Sequence, residues 1–227
     1  MKALAFGVVL CAGSMLAQGP AKVTFHLERE GLEIPRFTVS VDEQGNGSYR
    51  AEVALSKSLP ATQPGEPAEP SAPPPAIERK VTLSAATTTK IFALARDAER
   101  FNTQCESKAK NVANMGMKTL TFAGPDGAGS CVFNYTEAKP VMALTDIFLA
   151  VQQTLEMGRQ MDFKRRFDRL GLDAVMLSLS QMLDAHQAME VGTIAQSLRT
   201  IASDTELMQR VRLRAAKMLE QAEPMSH

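Results

Sequence analysis

From Pro140 onward the hydrophobic period of this chain is that of helices throughout, and that change narrows the folds open to it. Before Pro140, outside one helical stretch, the apolar residues recur at every second position, as on a strand with one buried face. After it they recur at three and four, as on helices. A chain whose strands come first and helices last does not build alternating parallel units. It builds an α+β fold: an antiparallel sheet covered by one helix, followed by a C-terminal all-α helical bundle. We expect the first part to span 22–137 and the bundle 138–222.

Three strands are legible early. Val23, Phe25 and Leu27 alternate with Thr24, His26 and Glu28; Phe37, Val39 and Val41 follow, then Tyr49, Ala51, Val53 and Leu55. Asn46-Gly47 lies between the second and third runs, and both residues tolerate the positive φ of a tight turn. The pattern predicts a hairpin of 36–42 and 48–56. The same loop has Asp42, Gln44 and Asn46 at calcium-loop spacing. Val53 stands where a bidentate Glu is needed, so the turn reading holds. Pro60, Pro64, Pro67, Pro70, Pro73, Pro74 and Pro75 then make a Pro-rich disordered insertion at 58–76, a composition from which no core can be built.

Val81 and Leu83 mark a short strand, and Ser84 opens a helix over 86–103 carrying Ile91, Leu94, Ala98 and Phe101. Leu120 and Phe122 form a further strand, Gly124 to Gly129 a turn, and Cys131, Phe133 and Tyr135 the last strand. The glycine run lacks the Gly-Lys-Ser/Thr ending of a phosphate loop. In the bundle, Val141, Leu144, Phe148, Val151 and Leu155 form a stripe ending near Gly158. Phe163, Phe167 and Leu170 make a shorter helix ended by Gly171, and Asp173 caps the next, with Met176, Leu179, Leu183 and His186 on one face. Val191, Ile194, Leu198 and Ile201 continue the series, and Asp204 caps a last helix with Leu207, Val211, Ala215 and Met218. The 13 methionines fall mostly in this part and read as core filling.

Lys2, the apolar run Ala3–Leu10 and the small residues to Ala17 read as a signal peptide over 1–17, too short to span a bilayer. We therefore expect a secreted or periplasmic protein with no transmembrane segment after signal cleavage. Leu10 stands before Cys11 where a lipoprotein signal has a small residue, which argues against a lipid anchor there. An oxidising compartment makes the two remaining cysteines, Cys105 and Cys131, a disulfide.

Chemistry is scarce. Net charge is zero with 25 basic and 25 acidic residues, so nothing marks the molecule for nucleic acid. His26, His186 and His227 have no metal spacing, no cofactor motif is present, and no nucleophile motif appears. The densest basic cluster is Lys164, Arg165, Arg166 and Arg169, joined on the final helix by Arg210 and Arg214. It is a partner-binding face if its charges are available, and a solvated helix surface if the interleaved Asp162, Asp168 and Asp173 claim them.

Leu198 to Leu219, with Asp204, Val211-Arg212, Ala215-Ala216 and Leu219, resembles a HEAT-type helical hairpin, in which an Asp opens the turn and Val-Arg starts the second helix. The chain as a whole is similar to exported bacterial proteins of uncharacterised function. Neither resemblance implies an activity or supplies functional residues. The expectation is a non-enzymatic module that binds an unknown protein or envelope component. The alternative is an extracytoplasmic hydrolase using paired carboxylates.

Overall fold

The computed structural model describes residues 19–54 and 76–222. The expected signal peptide with Cys11, the proline-rich stretch up to Pro75, and His227 lie outside them.

Six strands form one antiparallel sheet: β1 (Lys22–Glu28), β2 (Arg36–Asp42), β3 (Asn46–Glu52), β4 (Ala76–Thr82), β5 (Met117–Gly124) and β6 (Gly127–Phe133), in the order β4-β3-β2-β1-β5-β6. The register sets like beside like. Phe25 faces Val39 on one side and Leu120 on the other, and all three are fully buried. Thr24 in turn faces Ser40 and Thr121, and the hydroxyls of Ser40 and Ser48 and of Thr121 and Ser130 bond across strands at 3.0 and 3.1 Å. His26 lies on this polar face, bonded to Thr38 at 2.9 Å.

The first hairpin is present, but Asn46-Gly47 is not its turn. Asp42 begins the turn: its carbonyl accepts from Gly45 N–H, and its Oδ1 accepts from the N–H groups of Gln44 and Asn46. Gly45 takes the positive φ of +82°. Gly47 lies within β3, where a Cβ would fall 1.9 Å from the Ser40 carbonyl oxygen; its role is close approach. The second hairpin likewise turns on Pro125 and Asp126 alone, and Tyr135 falls beyond β6.

Among the described residues there are five α-helices: α1 (Ala85–Asp97), α2 (Lys139–Phe167), α3 (Arg169–Asp184), α4 (Ala195–Ser203) and α5 (Gln209–Ala222). Ser84 caps α1 as expected, its hydroxyl accepting from Thr87 N–H. The helix stops well short of 103, because Glu99, Arg100 and Phe101 take left-handed φ values of 53°, 55° and 65°. Each costs about 1–2 kcal/mol for an L-residue. The turn drives Phe101 into the core at 0% exposure, while Arg100 bonds Asp126 and Asn102 donates to the Ala128 carbonyl. Gly129 makes room for it, since a Cβ there would lie 2.2 Å from the Arg100 carbonyl oxygen. Cys105 follows this turn and is bonded to Cys131 of β6, with Cα atoms 5.8 Å apart.

The α+β class holds. The sheet's inner face is covered by α1 and by the first half of α2, with Phe92 edge-on to Phe122 and Phe148 stacked on Phe25 at 5.3 Å. The α2 helix does not stop at Gly158: it runs 29 residues, about 43 Å, as one rod. Gly158 is buried where a Cβ would strike the Ile194 side chain, so it serves packing between helices and not capping. Beyond it, Met157 and Met161 enter a second core with Leu172, Met176, Leu179, Ile194, Leu198, Ile201, Val211, Ala215 and Met218. Glu190 ties the two cores by accepting from the Ser84 N–H and hydroxyl at 2.8 Å and from the Thr87 hydroxyl.

Candidate functional site

The α2–α3 corner is where the structure departs most from the expected burial. Phe163, Phe167 and Leu170, read from sequence as the apolar positions of a shorter helix, are 53%, 73% and 81% exposed. The reason is the length of α2. The second core takes Met157 and Met161, and the mean direction of Phe163 and Phe167 lies about 120° round the helix from that of these two, outside the arc the second core covers. Their rings pack on each other, 4.9 Å between centroids. Leu170 then opens α3 on the same outward side as Leu177, itself 46% exposed.

Asp168 builds the corner. Its backbone breaks the helix with φ −150° and ψ 73°, and its side chain caps α3 by accepting from Gly171 N–H at 2.9 Å. A Cβ on Gly171 would overlap that carboxylate, so the glycine opens a helix here and does not end one. Asp173 is not the cap. The Lys164 ammonium donates to Asp168 at 2.6 Å, and together with the Gly171 bond holds the carboxyl below its ordinary range.

The six basic residues do not converge on one face. Arg165 reaches Asp204 at 3.7 Å, and Arg169 donates to Glu206 at 2.6 Å, so the corner is tied to the turn between α4 and α5. Asp204 shapes that turn by accepting from Glu206 N–H, and α5 begins only at Gln209. Arg210 and Arg214 meet elsewhere, on the two oxygens of Asp173 at 2.8 and 2.6 Å. Arg166, three residues after Phe163 on α2, is exposed and alone of the six has no carboxylate partner among the described residues.

Arg214 first, and Arg210 with it, holds the Asp173 carboxyl below the ordinary 3.8. The folded state therefore keeps this group ionised at a pH where the unfolded chain protonates it. Its contribution is complete above the ordinary value and is lost as pH falls through the lowered one. The urea midpoint is expected to drop as pH falls below about 4, and Asp173→Asn to flatten part of that slope. An unchanged slope in the variant would show that the α3–α5 tie carries none of the acid sensitivity.

Elsewhere the ionisable groups serve structure. The Lys118 ammonium is buried and donates to the carbonyls of Gly116 and Asn134 at 2.9 and 2.8 Å; burial pulls its pKa down. Burial pushes the Tyr49 phenol up to about 12. Glu33 and Glu156 meet, but on the single guanidinium of Arg159. Among the described residues the carboxyls of Asp126, Asp168 and Asp173 are shifted, each downward beside cations. Among the described residues no group of three or more His, Cys, Asp and Glu is placed to hold a metal ion, and no helix is long and apolar enough to cross a membrane. His186 is exposed just past α3.

No protein-family model matches the chain, and no curated protein does.

Proposed function

We propose that this chain is an exported, non-enzymatic interaction module that works by surface contact with a protein or other component of the cell envelope. The observation that carries the reading is the α2–α3 corner. Two phenylalanines and a leucine within eight residues stand largely in solvent on a fold that buries every other phenylalanine among its described residues. Exposed apolar clusters of this kind mark contact sites. The corner is also tied to the rest of the fold, by the Asp168 cap and by the ion pairs of Arg165 and Arg169 with the α4–α5 turn. We read α4 and α5 as a HEAT-like hairpin bracing it from behind.

Phe163→Ser combined with Phe167→Ser tests this. Because both rings are exposed, the double variant is expected to unfold within about 0.5 kcal/mol of wild type. Its retention in the envelope fraction is expected to weaken by at least about tenfold, through loss of the apolar contact. Unchanged partition between envelope and soluble fractions would overturn the proposal.

A further inference from the structure

We infer that the cavity between the inner face of the sheet and α2, walled by Leu27, Ile34, Phe37 and Leu149, binds a small aliphatic carboxylate, with its tail among these side chains and its charge beside Arg29 and Lys118. Leu149 lies about 20 Å along α2 from Phe163. The site therefore stands or falls apart from the reading of the α2–α3 corner.

Lys118 breaks the pattern of the sheet. The register sets it between Leu27 of β1 and Phe133 of β6, and Leu27 in turn faces Phe37 of β2. A cation thus occupies a row of apolar side chains on the inner face, and it is only 7% exposed. Its ammonium donates to the carbonyls of Met115, Gly116 and Asn134 at 3.3, 2.9 and 2.8 Å and lies 5.8 Å from the centre of the Phe133 ring. Those contacts place its three N–H groups but do not cancel a full charge. Lys118 makes no ion pair among the described residues; Glu106 acts on it only across space. A buried charge without a counter-charge is costly, and a Met or Leu would fill the row without that cost.

Gly116 brings a second cation to the same wall. Its φ is +89°, and a Cβ there would fall 2.7 Å from the Arg29 Cβ, while its carbonyl is one of the acceptors of the Lys118 ammonium. Arg29 also makes no ion pair among the described residues, although Glu28 and Glu30 flank it in sequence; Glu28 is taken by Arg36. Burial first, and Arg29 with it, pulls the Lys118 pKa down. An anion held beside both cations opposes each effect. The Gln153 amide, in the same wall and without a side-chain hydrogen bond among the described residues, can donate to it as well. The rest of the site asks for a tail: the other walls are apolar, and Leu32 and Met115 add large, partly exposed apolar side chains. The cavity holds about 260 Å³. At about 30 Å³ per non-hydrogen atom, water's share of the liquid, that suits an acid of about seven or eight carbons.

Isothermal titration calorimetry of the exported protein with octanoate tests this. Wild type is expected to bind octanoate saturably with a Kd on the order of 100 μM. Octanol, which lacks the charge, and acetate, which lacks the tail, should each bind at least about tenfold more weakly. Arg29→Gln, at an exposed position, is expected to fold as wild type does and to lose about tenfold in affinity. Lys118→Met keeps the stem, removes the charge and should lose as much. Leu149→Trp fills the cavity and should abolish saturable binding. Where Lys118→Met does not fold, because three carbonyls lose their donor, Arg29→Gln and Leu149→Trp decide. No saturable binding of octanoate up to about 10 mM, octanol binding as tightly as octanoate, or an unchanged Kd in Arg29→Gln would each overturn the site. N-acetyl-leucine, which carries the chemistry of a peptide's C-terminal end, is expected to bind more weakly than octanoate; tighter binding would overturn the aliphatic acid as its ligand.

Discussion

Phe148→Ala is expected to cost about 3–5 kcal/mol, the range for removing a fully buried aromatic side chain. Phe148 projects from α2 onto the middle of the sheet and lies parallel to Phe25 at 5.3 Å; both rings are completely shielded. Phe25 also touches Phe37, which in turn touches Tyr49, so one chain of rings crosses from the helix through three neighbouring strands. Truncating Phe148 opens a cavity at the end of that chain. The site collapses poorly, because α2 is a single rod anchored at its other end in the second core. Both cores should therefore weaken together. Urea unfolding followed by far-ultraviolet circular dichroism is expected to stay one transition with a lowered midpoint. Leu213→Ala, at a position 61% exposed, should change the midpoint by less than about 0.5 kcal/mol. A Phe148→Ala midpoint no lower than that of the Leu213 variant would contradict the shared role of α2.

This rod was the part of the fold least visible in the residues. Local alternation named the strands because each strand has one buried face, and period two survives even in seven residues. The α2 helix changes partners along its length. Val141, Leu144, Phe148 and Val151 bury against the sheet, and Met157 and Met161 against other helices at a different angle round the axis. A single stripe therefore could not be traced through it, and Gly158 read as an end. The same change of angle hid the corner: Phe163, Phe167 and Leu170 continue a helical spacing, but spacing alone does not say which side is covered. The signal that could have found them is the run Phe163-Lys-Arg-Arg-Phe167, where cations crowd both phenylalanines. Core-facing helices seldom place three consecutive cations between their buried positions. Turn placement failed for a smaller reason. Asn46-Gly47 suits a two-residue turn, but Asp42 satisfies two backbone N–H groups at once and so shifts the turn toward itself.

Removal of the Cys105–Cys131 bridge, as Cys105→Ala with Cys131→Ala, is expected to cost about 2–4 kcal/mol. The two residues are 26 apart in sequence, and a closed loop of that size restricts the unfolded chain by about 3–4 kcal/mol on the chain-entropy argument. The native side adds a specific reason. Three consecutive left-handed residues, Glu99 to Phe101, lie just before Cys105, and their strain of about 1–2 kcal/mol each must be offset by what they place. They place Phe101 in the core and Arg100 on Asp126, and the bridge fixes the segment that follows to β6. Without it the turn has a cheaper local alternative, continuation of α1, which would pull Phe101 out. Hydrogen exchange at Glu99 to Asn102 should therefore rise more than the global loss of stability accounts for. Reductant should lower the urea midpoint of wild type toward that of the double alanine variant and leave the variant unmoved. Equal midpoints for the oxidised protein and the variant would show that the sheet core holds this turn unaided.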